Sequence, residues 1–337
     1  MFLYITADRI GIESGGGHVT KNELEALSEI GPVTVINPPP QQNPFETESA
    51  IPEIDLSGIK LAHFYSGTFP KFAQKLKNAN IKITYTAAAH DAKLSQEEFA
   101  IYGLKYELNH LTDPVLFEKY LHSYKIADKI ICPSKHSKLV MEGFGCLNPI
   151  EIVPHGCNKM NPKKYPKTFT VGYLGQIGPD KGLIYLLRAW EELGYKDAVL
   201  QLAGSQSVNM LPYIRRMDKG HVNILGYVKS IEKFYNSCNV YVQPSVTEGF
   251  GIEILEALNC HRPVIASDGA GGSDCINDCG IIFQKRNIKE LMNAIDCLKN
   301  DKNTFDYMSK KCYENVKKYT WEKVKNMYIK IWKDLIT

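Results

Sequence analysis

Short runs of β-branched and aromatic residues recur along the chain, separated by stretches whose apolar positions follow the helical period. The first such runs are Phe2–Thr6, Pro32–Ile36, Lys60–Tyr65, Ile81–Thr86, Lys129–Cys132 and Pro149–Val153. Mostly apolar runs of this length read as strands buried on both faces, as in a parallel sheet. Helical spacing fills the gaps at Val19–Ile30, Phe69–Asn78, Val115–Ala127 and Lys135–Phe144. Pro38–Glu53 and Asp91–Asn109 read as loops. The alternation predicts a doubly wound βαβ domain over residues 1–160.

A polar, turn-rich linker, His155–Thr168, interrupts the rhythm. The rhythm then restarts. Strands are predicted at Phe169–Leu174, Ala198–Ala203, Val222–Leu225, Asn239–Gln243, Pro263–Ala266 and Ile281–Phe283. Helices are predicted at Gly182–Leu193, Met210–Asp218, Ile231–Ser237 and Ile288–Lys299. The predicted fold is α/β: two tandem doubly wound parallel-sheet domains, 1–160 and 161–318, facing a cleft. A last helical segment, 319–337, carries Tyr319, Trp321, Val324, Met327, Tyr328 and Ile331 near helical spacing. Its apolar stripe reads as core packing and its lysines as a solvated face. A basic helix making peripheral membrane contact is the alternative.

Composition narrows the function classes. The 337 residues are 44% hydrophobic and 23% charged, values of an ordinary globular protein. A net charge of +3 gives no footprint for nucleic acid. No apolar run approaches the ~18–20 residues of a membrane span, and the N-terminus reads as a strand rather than a leader. Nine cysteines, with no Cys-x-x-Cys, point to reduced structural thiols and a cytoplasmic location.

Three glycine clusters follow predicted strands. Gly15-Gly16-Gly17-His18 lies between the first strand and the first helix, but Gly17-His18 stands where a P-loop needs Gly-Lys-Ser/Thr. Its glycines still let a ligand approach backbone N–H groups. Gly172–Gly182 contains Lys181 near a helix start, where the helix dipole disfavours a cation unless an anion lies beside it. Asp268–Asp274, with Gly271-Gly272, reads as a flexible loop lining the cleft. His90-Asp91, beyond the strand Ile81–Thr86, would put an imidazole at a sheet's carboxyl edge.

The most informative stretch is Ser245–Leu258. A strand, a glycine turn and a helix starting near Gly251 make half of a βαβ unit, with free N–H groups at the sheet's ligand-binding edge. Glu248 and Glu256, eight residues apart, bracket that turn. The bland reading is an amphipathic helix with Glu253, Glu256 and Asn259 on its solvated side. Asp-x-Asp, His-Glu-x-x-His and Gly-x-Ser-x-Gly are all missing.

With these residues assembled, the chain resembles the retaining glycosyltransferases of the GT-B fold, family 4, from Gly15 to Trp321. The most specific match is Glu248-Gly249-Phe250-Gly251-Ile252 through Glu256, the family's Glu-x7-Glu motif. Gly15–Gly17, His90-Asp91, Val153–Asn158, Lys181-Gly182, Ala203-Gly204 and Leu225–Val228 also fit. The resemblance implies transfer of a hexose-like sugar from a nucleotide diphosphate donor with retention and without a metal cofactor. The acceptor is left open among glycan, lipid, protein and small molecule. It implies that Glu248 contacts sugar hydroxyls and Glu256 the ribose, while Lys181 and the N–H groups of Gly251 and Ile252 hold the diphosphate. Phe250, Gly16 and Gly17 belong to the implied donor site. Main-chain groups near Val228 would meet the base, and His90 would sit near the reacting sugar. The final helix would cross back onto the first domain.

One departure stands out: Gln176 occupies the place of the family's arginine. A charge-assisted bond lost there is worth roughly 1.5–3 kcal/mol. Arg188 and Lys229 are candidate substitutes. A nucleotide-sugar-binding protein with weak or no turnover is the competing reading. A nicotinamide-dependent oxidoreductase lacks its Gly-x-Gly-x-x-Gly after the first strand.

Overall fold

The computed structural model describes residues 1–7, 10–11, 15–38, 46–66, 69–106, 114–205, 210–217 and 221–337. Most of the Pro-rich stretch 38–44, and residues 107–109 of the second expected loop, lie outside that set. The chain forms two compact units. One comprises Met1–Ala89, Glu107–Gly156 and Trp321–Thr337; the other comprises His90–Tyr106 and Cys157–Thr320.

The first unit is built on six parallel strands: β1 (Phe2–Thr6), β2 (Val33–Ile36), β3 (Leu61–Tyr65), β4 (Lys82–Thr86), β5 (Lys129–Cys132) and β6 (Ile150–Ile152). Their order is β2-β1-β3-β4-β5-β6. All five residues of β1 are buried, because helices cover both faces of the sheet. On one face Leu3, Ile5, Phe64, Ile83 and Tyr85 form the apolar core with the helix Pro70–Asn78. The other face carries a buried polar network. Tyr4 and Thr86 donate to the Glu23 carboxylate at 2.8 and 2.6 Å, and the His63 ring lies 3.4 Å from it. The last helix, Trp321–Ile336, contributes Trp332, whose indole N–H donates to Thr84 Oγ1 at 3.2 Å. Trp321, Val324, Tyr328 and Trp332 are buried, whereas Ile331 is half-buried and Met327 is exposed, so only part of the expected stripe is core.

The second unit repeats the plan: β7 (Phe169–Leu174), β8 (Ala198–Ala203), β9 (Val222–Gly226), β10 (Val240–Gln243), β11 (Val264–Ser267) and β12 (Gly280–Phe283). These are parallel in the order β12-β11-β10-β7-β8-β9. One apolar layer packs the helices Leu183–Leu193 and Ile288–Asn300 on the sheet, and another packs Glu253–Asn259 and Lys302–Val316 on its other face. All nine cysteines are free thiols, and all but Cys297 are buried.

The stretch expected as the loop 91–109 contains a helix, Ala92–Ile101, and residues 90–106 group with the second unit. Asp91 caps that helix, its side chain accepting from the N–H groups of Lys93 and Leu94. Tyr102 and Leu104 pack against the second unit's core. Gly271–Cys275 is a short buried 3-10 turn, not the flexible loop expected from its glycines. Gly272 is packed there against the Phe250 and Gly251 carbonyls.

Candidate functional site

The site forms where the loops after β7 and β10 meet. Lys181 ends a single 3-10 turn, Pro179–Lys181, and Gly182 follows in the left-handed region at φ 70°. A Cβ on Gly182 would come within 1.9 Å of the Pro244 carbonyl oxygen, so only glycine allows the two loops to approach. Val246 N–H donates to the Asp180 carbonyl at 2.8 Å, tying them together. Glu248 is held by its own backbone: its N–H donates to Gly269 and its carbonyl accepts from Gly271, both at 3.0 Å. Glu248 thereby pairs with Ala270 as an isolated parallel bridge.

These constraints bring the Lys181 ammonium onto the Glu248 carboxylate in a direct hydrogen-bonded ion pair. Both side chains are about four-fifths buried, with 19% and 22% exposure. Burial opposes the charged form of each. The partner's charge prevails, raising the Lys181 pKa and lowering that of Glu248. Asp180, itself buried, adds to the pull on Lys181.

The turn then enters the helix Glu253–Asn259. Gly251 has φ 82°, and Ile252 is the residue before the helix. Glu253 and Glu256 both lie in its first turn. They are half-buried rather than on an open solvated face. Burial pushes Glu256 up to about 7, and its carboxylate accepts from Tyr235 O–H at 2.8 Å. Burial, then the charges of Glu248 and Glu256, push Glu253 up to about 8.

His90 joins this group through the segment 90–106. Its Nε2 shares a hydrogen bond of 2.7 Å with Tyr106 O–H, and Asp91 N–H donates to Thr247 Oγ1 at 2.8 Å. Burial first, and Lys181 second, hold its pKa below the ordinary histidine value, so the ring is neutral near pH 7.

The other expected residues divide. Phe250 is 3% exposed and its ring belongs to the core, so its ligand-facing potential is backbone only. Val228 and Ile252 pack at the margin of the same core. The Gln176 side chain is exposed, while its carbonyl accepts from Tyr173 O–H at 2.8 Å. Arg188 and Lys229 are also exposed. Gly16 and Gly17 are in the first unit, where Gly15–Ser28 is helical, so the glycines open the helix instead of preceding it.

Asp180, Tyr106 and Tyr235 were not singled out from the sequence, and Glu253 entered only as part of a solvated helix face. Only Asp180 and Glu253 carried a signal, as acids next to Lys181 and one helical turn before Glu256. Among the described residues no group of three or more His, Cys, Asp or Glu is placed to hold a metal ion. No helix among them is long and apolar enough to cross a membrane.

A buried Lys–Glu pair beside a glycine turn at the sheet's carboxyl edge is suited to a ligand that carries both an anion and hydroxyl groups. Residues 168–301 match the model of the glycosyl transferases group 1 family. The chain is 29% identical over 226 residues to the capsular polysaccharide biosynthesis glycosyltransferase CapM of Staphylococcus aureus, covering 61% of this chain and 60% of CapM. The matches to the first curated relatives span 60–63% of those relatives' lengths. Among solved structures, sucrose-phosphate synthase from Thermosynechococcus elongatus superposes with a TM-score of 0.77 at 18% identity, covering 99% of both chains. HepE from Anabaena, solved with UDP-glucose, superposes at 0.73 and 15% identity, covering 99% of this chain and 100% of HepE. The fold is GT-B.

Proposed function

We propose that the chain is a glycosyltransferase that moves a hexose-like sugar from a nucleotide diphosphate donor to an acceptor, with retention at the anomeric carbon and without a metal cofactor. The observation that carries this is the Lys181–Glu248 ion pair beside the turn leading to Glu256. HepE, solved with UDP-glucose, makes UDP donors the first to test. CapM acts in capsular polysaccharide biosynthesis, which supports a growing glycan as the acceptor class.

In this reading the donor diphosphate takes Lys181 as its counter-charge and accepts from the N–H groups of Gly251 and Ile252. Glu248, freed from Lys181, accepts from sugar hydroxyls, and Glu256 from the ribose. As the bond from the anomeric carbon to the phosphate oxygen breaks, negative charge grows on the phosphate beside Lys181. The acceptor oxygen bonds to that carbon on the same face, and its proton passes to the departing phosphate. His90, neutral near pH 7, offers a hydrogen bond to the sugar instead of a second positive charge.

Turnover of UDP-glucose, followed as UDP release, tests these roles. Glu248→Gln keeps the shape but accepts more weakly, and a loss of about tenfold or more is expected. Unchanged turnover would remove Glu248 from the site. The exposed Gln176 favours one second reading, a donor-binding protein without turnover. Tight UDP-glucose binding with no UDP release would select it.

A further inference from the structure

The segment 90–106 leaves the first unit and returns to it, yet its polar contacts belong to the donor-binding unit. Glu98, in the helix Ala92–Ile101, is wholly buried. Its carboxylate accepts from Arg286 Nε at 2.6 Å and from Tyr185 O–H at 3.1 Å. Arg286 Nη2 also lies 3.5 Å from Glu97. Arg286 comes from the turn after β12 and Tyr185 from the helix after β7, so three separate elements meet on one carboxylate. Arg286 holds φ 67°, a conformation non-glycine residues rarely adopt.

A wholly buried carboxylate must be paired or it destabilises whatever carries it. Glu98 has no role in the chemistry proposed for the site. The helix bearing it begins immediately after His90-Asp91, and Asp91 N–H on Thr247 joins it to the residue preceding Glu248. Ser95 donates to Asp180 at 3.4 Å, next to Lys181.

We infer that Arg286, through Glu98, is a positioning residue that locks the helix Ala92–Ile101 onto the donor-binding unit and so keeps His90 in register with Lys181 and Glu248. The consequence for turnover rests on the function proposed above; the lock itself rests on the contacts alone. Closing the site around a donor would then not have to deliver His90, which already moves with the ion pair.

The test is hydrogen exchange over residues 92–101 together with an NMR titration of the His90 ring, in the full chain, for Arg286→Met, Glu98→Gln and Arg286→Lys. Methionine keeps the stem and adds no backbone strain that arginine lacks. Arg286→Met should speed exchange over 92–101 by roughly a hundredfold, with the helix Lys302–Val316 unchanged as an internal reference. The His90 pKa should rise toward the ordinary histidine value. Arg286→Lys should restore most of both, since the ammonium still neutralises Glu98. If Arg286→Met fails to fold, Glu98→Gln, which keeps the shape, should show the same two changes in smaller measure. Exchange and titration identical to the parent in the soluble variants would overturn the lock. Neither readout needs turnover. Titration of the parent with UDP-glucose and other nucleotide sugars separates the two claims: failure to bind any of them would count against the proposed function while leaving the lock to be judged on exchange.

Discussion

At the scale of single residues, the acidic side chains around the turn after β10 are differentiated by their neighbours. Glu248 is held ionised by Lys181, whereas Glu253 keeps its proton up to about pH 8 because burial and two neighbouring carboxylates oppose its charge. The sign of the resulting pH dependence follows. An unfolded glutamate ionises near 4.5, so between that value and about 8 the folded chain binds the extra proton. The contribution of Glu253 to stability is fully present below about pH 4.5 and is lost as pH rises toward 8. Glu253→Gln should flatten this part of the profile, and chemical denaturation of parent and variant from pH 5 to 8 checks it. Parallel profiles would show that Glu253 titrates normally. The Glu248 and Glu256 spacing was legible because both adjoin a glycine turn. The state of Glu253 was not, since the helical wheel places it beside Glu256 on a face that only tertiary packing covers.

At the scale of elements, glycine decides how closely loops approach. Gly182→Ala would drive a Cβ into the Pro244 carbonyl and require φ 70° of an L-residue. A destabilisation of about 1–3 kcal/mol is expected, with weaker nucleotide binding because Lys181 retreats from Glu248. Urea melts and calorimetry with UDP would show it; unchanged values for both would mean that the loops do not depend on this contact. The strands were readable because buried parallel strands are short β-branched runs, and β1, β5 and β7 coincide with those runs. The helix Ala92–Ile101 was missed for a physical reason. Its apolar pattern is weak, and its place is set by Glu98 meeting Arg286, which is 188 residues away in sequence. Local pattern carries no trace of such a pair. The glycines at 271 and 272 misled in the opposite direction: they mark close packing against Phe250, not flexibility.

At the scale of the whole molecule, the chain crosses between its units more often than a tandem arrangement requires, and its last helix completes the first sheet's polar face. Trp332 is wholly buried, 4.9 Å from the His63 ring and hydrogen-bonded to Thr84. Trp332→Ala should cost about 3–5 kcal/mol and lower the melting of the first unit selectively, read by hydrogen exchange over β1, β3 and β4. Uniform protection in the variant would contradict that role. The carboxylate of Glu23 is the counterpart inside that face, and the apolar stripe from Trp321 onward made the helix legible without revealing the polar network beneath it.

The central claim is that Lys181 and Glu248 belong to a donor site in which Lys181 is the counter-charge to the diphosphate. Calorimetric titration of UDP-glucose into the parent and into Lys181→Ala tests it most directly. The account predicts saturable binding to the parent and a loss of about tenfold or more in the variant, since the diphosphate loses its counter-charge. It also predicts that Glu248, left without its cation, destabilises the empty variant by about 2 kcal/mol. Equal affinity of the two proteins for UDP-glucose would contradict the claim.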